Sequence, residues 1–410
     1  MFSKILKNYL RFWAVRYLRR AKPQIIAITG SVGKTSTKDA IFEVLRAKFG
    51  AQVRKSEGNL NNETGVPLGI LNYKNAPSYG SSSFGWIPIF LSTPFKSLFV
   101  KKVKILVLEL AADKPGDIQY LTSFIKPNLA VITSIGPAHL AAFGDIKKVI
   151  EEKVALVEAL PADGSAIINI DDENLKKVSK ELKQSVKTFA ITEEADVSAR
   201  NITTEIINYQ PLTKFQIVSK KYRFLAEIHT LGRRANVYPA IAAAAVAEEY
   251  GITKEQLIQG LANIYPEKHR MMVQKGKNGA IILDDCYNAN PLSMKAALET
   301  LETLPARPAG GRKIAVLGEM KELGQISKKA HQLIGEYARA ICDQIISIGP
   351  MAKDYQANVH FEQKKDLINY LLANIHEGDI MQGVPIILLK ASRGGGSKPE
   401  LEEVVEALKI

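Results

Sequence analysis

Cysteine is nearly absent: Cys286 and Cys342 are the only two in 410 residues, and both lie in apolar-flanked stretches. That excludes a disulfide-stapled scaffold and a cysteine-ligated zinc site, and the two thiols read as small buried hydrophobes in a reducing cytosol. Long unbroken apolar runs are missing as well. Lys4, Lys7, Arg11, Arg16, Arg19, Arg20 and Lys22 interrupt the first 22 residues, and the apolar stretch 84–91 contains Gly85 and Pro88. Neither is fit to span a bilayer, and the first lacks the uncharged core of a signal peptide. Acidic residues do not occur in that N-terminal segment, so the formal net charge of +13 is in good part a local excess. With no RNA-binding signature and no aromatic-basic interleaving in the body of the chain, nucleic acid is not an expected partner. Internal repeats and long low-complexity tracts are lacking too.

What is present is enough apolar material, 46% of residues, for two or three folded domains. Leu6, Tyr9, Leu10, Trp13 and Tyr17 recur at helical spacing, which predicts a basic amphipathic helix over residues 1–22. Two placements stay open for it: on an anionic membrane surface, or packed on the first domain with its basic face in water. Residues 84–91 read as a loop or buried flap. Strand patterns at Lys104–Leu110, Leu129–Ile135 and Ser165–Ile170 alternate with helical ones, which implies a doubly wound parallel sheet. Between residues 195 and 230 the texture shifts to short alternating runs, expected as antiparallel strands appended to that sheet, followed by an alanine-rich helix, Ala240–Tyr250. After Pro266 a second set of strands begins, at Ala280–Asp284, Lys313–Leu317, Gln344–Ile348 and Val384–Leu389. The expected fold is therefore α/β: a P-loop central ATPase domain over 23–266, then a Rossmann-like domain over 267–410, with the linker near 265–270.

The densest chemical signal is Gln24–Lys38, QIIAITGSVGKTSTK. A β-branched strand leads into a turn holding Gly30 and Gly33, then a basic residue and hydroxyls open a helix. Such a turn lets successive backbone N–H groups face an anion while the helix adds its positive dipole end. Gly30, Ser31, Val32, Gly33, Lys34, Thr35 and Ser36 thus form a candidate nucleotide cradle, with Lys34 reaching the β- and γ-phosphates and Thr35 holding Mg²⁺. The strict GxxxxGK[ST] pattern is not met, since its first glycine falls at Ile28. Further candidates follow apolar strands, at the carboxyl edge where parallel sheets bind ligands. They are the amide-rich segment Gly58–Pro67 with Asn59, Asn61 and Asn62; Glu109; His139; the segment Asp284–Pro291; Gly318–Gly324 with His331; and Lys390–Arg393. Lys153, in a helical pattern, reads from spacing alone as a solvated lysine.

Taken together, TGSVGKTSTK at 29–38, GNLNNETGVP at 58–67, EL at 109, AHLxxFG at 138–144, DDxYNANP at 284–291, LGEMxELG at 317–324 and KxSR at 390–393 resemble the Mur ligase family, most of all its MurF type. The resemblance implies an ATP-dependent amide-bond synthase of peptidoglycan precursor synthesis, adding D-alanyl-D-alanine to a muramoyl-peptide carboxylate through an acyl phosphate. By motif position it implies that Thr35 and Glu109 hold one Mg²⁺, and that His139 and a carbamylated Lys153 hold a second. Arg270, Asp285, Asn288 and Asn290 would contact nucleotide or close the cleft, and Asn236 would serve only with a shift of register. Asn59, Asn61 and Asn62 would meet substrate, and Lys390 with Arg393 the acidic end of the incoming dipeptide. Three departures stand out: Glu109-Leu-Ala-Ala-Asp113, Gly232-Arg-Arg-Ala-Asn236 and Lys390-Ala-Ser-Arg393 replace the family's ELGAN, GxHN and KGSR. Only 23 residues precede the cradle strand, so the uridine-gripping N-terminal domain of the family is expected to be lacking. A Mur-fold ligase acting on a lipid-linked, pseudopeptidoglycan or folate-type acceptor is the first alternative, and a non-catalytic nucleotide-binding subunit of a cell-wall complex the second. A cytoplasmic monomer is expected, with contact to the inner face of the membrane through residues 1–22 as one of the two placements open to that segment.

Overall fold

Valine-, isoleucine- and leucine-rich strands build two sheets. The computed structural model describes residues 2–58, 60–77, 83–137, 140–232, 236–304, 311–374, 384–393 and 399–410. In the first sheet, β1 (Gln24–Thr29), β2 (Val53–Lys55), β3 (Ile105–Glu109), β4 (Leu129–Ile132), β5 (Ser165–Asn169), β6 (Ser185–Ala190), β7 (Val197–Ile207), β8 (Gln210–Ser219) and β9 (Arg223–Ile228) lie in the order β2-β3-β1-β4-β5-β6-β7-β8-β9. Pairing is parallel from β2 through β7, and β8 and β9 add antiparallel. Successive residues of a strand point to opposite faces. Accordingly Ile26, Ile28, Val107 and Val131 pack in one core with the helices Lys34–Phe49 and Tyr238–Glu249, while Ala27, Leu106, Leu108 and Ile132 pack in another with Ala14, Tyr17 and the helix Ile146–Glu158. Strands buried on both faces explain the near-continuous apolar runs of the sequence.

The second sheet comprises β10 (Met272–Lys275), β11 (Ile281–Asp284), β12 (Lys313–Leu317), β13 (Gln344–Ile348), β14 (Val359–Phe361) and β15 (Ile386–Lys390), ordered β10-β11-β15-β12-β13-β14 and parallel except for β10. It too is covered on both sides, by Leu283, Ala315 and Leu388 in one core and Ile282, Val316 and Leu389 in the other. The two sheets meet along more than the chain crossing. Tyr209, at the tip of the β7–β8 hairpin, donates its hydroxyl to the Gly279 carbonyl at 3.0 Å and packs with Ile206 against the second domain's core.

The N-terminal segment is a helix, Phe2–Ala21, whose Leu6, Leu10, Ala14 and Tyr17 are buried. It rests on the helices Gly65–Ile70 and Ile87–Phe99. Its own apolar stripe is thus spent on the first domain. One local reading is corrected. Residues 84–91 are no loop or buried flap: Gly85 falls in a 3₁₀ turn, Ser83–Trp86, and a helix runs on from Ile87 to Phe99. Pro88 fits its first turn, where the missing N–H has no intrahelical partner to lose. The amide-rich segment runs into a helix, Gly65–Ile70, and just ahead of it the Asn62 side chain accepts from the N–H groups of Thr64 and Gly65 in a turn. Truncating Leu10, fully buried against Leu60, Leu68 and Ile89, costs about 2–4 kcal/mol of helix docking. Leu10→Ala should therefore speed amide hydrogen exchange through Phe2–Ala21 by roughly 30-fold or more, leaving the strand amides of β1 slow.

Candidate active site

The cradle owes its shape to contacts on which only glycine fits. Gly30 follows β1 with φ +147°, and a Cβ there would stand 2.0 Å from Thr133 Oγ1. Gly33 takes φ +83° and caps the helix Lys34–Phe49 without any side-chain acceptor, which leaves the helix's first N–H groups directed at the cleft. The segment after β4 braces the turn from beneath: Ser31 N–H donates to the Ser134 carbonyl at 2.8 Å, and Thr133 Oγ1 donates to the Val32 carbonyl at 2.6 Å. The Lys34 ammonium bends back to the Gly30 carbonyl at 2.7 Å. Loss of water draws its affinity for the proton down, with Glu109 opposing and Arg270 adding to the effect.

Glu109 closes β3 and is buried. One oxygen accepts from Asn61 Nδ2 at 2.8 Å; the other, Oε2, accepts no hydrogen bond and has the Lys38 ammonium 3.8 Å away. A buried carboxylate oxygen left this way is costly unless a cation completes it, so the donor set of Glu109 and the Thr35 hydroxyl fits a hard divalent ion. Lys153 is buried on the helix Ile146–Glu158, beside Glu152, whose carboxylate accepts from the N–H groups of Gly116 and Ile118 at 2.6 and 2.5 Å. It is thus no solvated helix lysine. Desolvation, then the Lys34 charge, bring its amine down to about 7. His139 and Asn59 lie outside the described residues.

A cleft of about 1120 Å³ lies between the two sheets' carboxyl edges, lined on one side by the cradle, Asn61, Asn62, Glu109 and Asn236 and on the other by Arg270, Asp285, Asn288, Asn290, Lys390 and Arg393. Arg270 crosses it, donating to Thr35 Oγ1 at 3.1 Å with its guanidinium carbon 3.9 Å from the centre of the Tyr287 ring. Arg393 stands 4.3 Å from the same ring and donates to the Tyr287 hydroxyl. Lys390 pairs with Asp285 at 2.5 Å and donates to the Asn288 carbonyl at 3.1 Å, tying the loop after β11 to the end of β15. Asn290 accepts from Ser293 N–H and so caps the helix Pro291–Thr303. Asn236 is buried and donates to the Leu231 carbonyl.

His331 is not part of the cleft. Fully buried, it accepts from Met320 N–H at 3.0 Å through Nε2 and meets the Ser327 carbonyl at 2.8 Å through Nδ1, bracing the 318–324 loop from behind. Three further groups were not singled out from sequence. Tyr287, flanked by both arginines, was visible only as the unassigned aromatic of its motif; Lys38 stands one helical turn beyond Lys34; and Asp171 accepts from the Tyr238 hydroxyl at 2.6 Å on the cleft wall.

The profile of the Mur ligase middle domain matches residues 28–247, and that of the Mur ligase glutamate ligase domain residues 269–392. The chain belongs to the Mur ligase family. It is 30% identical over 406 residues to the UDP-N-acetylmuramoyl-tripeptide–D-alanyl-D-alanine ligase of Bacillus subtilis, covering 96% of this chain and 78% of that protein. Among solved structures it resembles MurF from Acinetobacter baumannii (TM-score 0.79, 26% identity, 97% of this chain and 79% of that one). MurF of Thermotoga maritima in complex with ADP is equally similar (TM-score 0.79, 26% identity, 98% and 83%). This Mur ligase holds its phosphate turn against Thr133 so closely that Gly30→Ala must displace it, at about 1–3 kcal/mol. Titration calorimetry should show ATP bound about tenfold to over a hundredfold more weakly, with the unfolding of the second sheet unchanged.

Proposed function

We propose that this protein is an ATP-dependent ligase that joins D-alanyl-D-alanine to the free carboxylate of a muramoyl peptide. The observation that carries the reading is the single cleft in which the phosphate cradle and the half-satisfied Glu109 carboxylate face Arg270, Tyr287 and Arg393 of the other domain. A relative 30% identical over most of both chains bears that activity in its name.

In the first step a carboxylate oxygen of the acceptor attacks the γ-phosphorus of ATP. The bond to the β,γ-bridging oxygen breaks, and ADP leaves an acyl phosphate behind. The dipeptide's amine then adds to the acyl carbon, inorganic phosphate departs with the bonding pair, and the nitrogen gives up a proton. Phosphoryl transfer of this kind asks the protein for positioning and charge neutralisation. Lys34 would leave the Gly30 carbonyl for the β- and γ-oxygens, and the N–H groups of Gly33 to Ser36 would hold the phosphate chain. Arg270 would follow the γ-phosphate from its place on Thr35. Arg393, stacked on Tyr287, remains available for the dipeptide's carboxylate, whereas Lys390, neutralised by Asp285, serves to hold the loop that carries Asn288 and Asn290.

Thr35 and Glu109 would hold one Mg²⁺, and His139 with Lys153 as its carbamate a second; such ions, when bound, offset the charge that builds on the transferred phosphoryl group. An amine titrating near 7 is half neutral at neutral pH, so its nitrogen can add to carbon dioxide, losing one proton and becoming an anionic oxygen donor. Its neutral fraction falls below pH 7 and rises above it. With ¹³C-bicarbonate, a carbamate resonance should grow between pH 6 and 8 (about one unit either side of that value) and be missing in Lys153→Ala. Its absence from the parent chain would remove the second metal ligand set.

Release of ADP and phosphate should require both D-alanyl-D-alanine and UDP-N-acetylmuramoyl-tripeptide. Lys34→Ala should lower kcat by on the order of 10²–10³. ATP bound without turnover on these substrates would move the acceptor to another precursor.

A further inference from the structure

The helix Ile87–Phe99 is built inside out. Its protein-facing side carries Ile89, Thr93 and Ser97, buried, and Thr93 is satisfied by the Ile89 carbonyl at 2.6 Å and the Tyr73 hydroxyl at 3.0 Å. Its outer side presents Phe90, Leu91, Phe95 and Phe99, which are 45%, 65%, 65% and 78% exposed. A helix on a water-facing surface has the opposite arrangement. With Ile5 and Phe12 of the N-terminal helix, these two helices hold half of all the large apolar side chains exposed among the described residues. They form one surface: Tyr9 stacks on Phe90 at 4.0 Å and donates to its carbonyl, and Arg20 donates to the Val100 carbonyl at 2.6 Å.

Charge carried by these two helices has one sign, with Glu63 paired to Lys7 at the edge. No acidic residue occurs in 1–38 or in 64–108. A trough of about 780 Å³ runs along the N-terminal helix, lined by Arg11, Arg16, Arg19 and Arg20 and reached by Leu98 of the second helix. Lys101, Lys102 and Lys104 follow immediately and are exposed.

We propose that the paired helices dock on an anionic lipid bilayer, with Phe90, Leu91, Phe95 and Phe99 at the acyl boundary and the arginine trough on headgroup phosphates. Aromatic and leucine side chains flanked by arginine and lysine are what such an interface binds. A second copy of the chain would bring the same positive field against itself, a like-charge apposition that disfavours that occupant. The N-terminal helix supplies charge here; its apolar stripe is already buried, so insertion falls to Ile87–Phe99. Neither helix lines the cleft, so the docking stands or falls independently of the ligase reading.

The test is flotation of the full chain with phosphatidylcholine vesicles, with and without phosphatidylglycerol, at low and high salt. Two surface variants, Phe95→Glu/Phe99→Glu and Arg16→Glu/Arg19→Glu, serve as probes, their unfolding midpoints checked against the parent. The parent should float only with anionic vesicles and come off in salt, and each variant should partition about tenfold or more weakly. The proposal is overturned by a parent that ignores anionic vesicles, by undiminished binding in either variant, or by a parent dimer that Phe95→Glu/Phe99→Glu splits without any vesicle binding.

Discussion

Parallel pairing of β1 with its two neighbours is the constraint on which the site depends. The register sets Ile28 beside Glu109 and Thr29 beside Ile132, so three strands end level and release their chains at one edge. From that edge come the cradle turn, the Glu109 carboxylate and the Thr133–Gly136 segment that supports the turn. A slip of one residue would send Glu109 to the other face of the sheet, away from Thr35. The apolar residues before these ends are therefore part of the site: they fix where the polar ones emerge.

The edge so formed gathers positive charge. Lys34, Lys38 and Arg270 gather around the buried Glu109, Lys38 lying 3.8 Å from both Glu109 and Asp39, and Lys34 turns to a backbone carbonyl. Across the cleft, Lys390 is matched by Asp285, Arg393 rests on the ring and hydroxyl of Tyr287, and Arg270 meets the same ring, Thr35 and, at 3.1 Å, Glu267. A nucleotide polyphosphate would supply anions to these groups and, reaching both walls of the cleft, would bind the domains together. The contact between Arg270 and Thr35 is then a provisional one, a hydrogen bond that phosphate would replace on both sides. His269 and Met271, on either side of Arg270, hold φ of +62° and +54°. Left-handed backbone at non-glycine residues is strained, and here it lies in the crossing between the sheets.

Much of this was legible in the residues because it is local or periodic. Strand cores such as Ile105–Leu108 and Lys313–Leu317 announce themselves as apolar runs, and the cradle is a contiguous string whose glycines and hydroxyls have one economical use. The failures share a cause: burial decided by distant partners. Residues 84–91 carry Gly85 and Pro88, which read as loop punctuation, whereas the helix they open is held by contacts further along, where Thr93 meets the Tyr73 hydroxyl and the Ile89 carbonyl. His331 sits beside a strand-end loop in sequence and behind it in space. Lys153 has the spacing of a solvated lysine, and only the packing of Glu152 against the 116–118 backbone shows that this side of the helix is buried. Lys390 pairs with a carboxylate 105 residues away, which no window of sequence displays.

The N-terminal helix joins these strands of reasoning physically. Its first turns pack Leu6 and Leu10 on Leu60 and Leu68 and pair Lys7 with Glu63, all on or beside the loop that holds Asn61. Asn61 in turn fixes Glu109 through its amide and the Ala111 N–H through its carbonyl, at 2.8 and 2.7 Å. The buried stripe that keeps this helix on the domain is therefore also what steadies the loop beside the carboxylate, while its basic face stays outside. One amphipathic helix thus separates two demands by side: apolar residues inward, where geometry at the cleft needs rigidity, and arginines outward, where Ile87–Phe99 leaves its phenylalanines uncovered. Neither helix contributes a residue to the cleft, so a surface that met them would touch none of its lining.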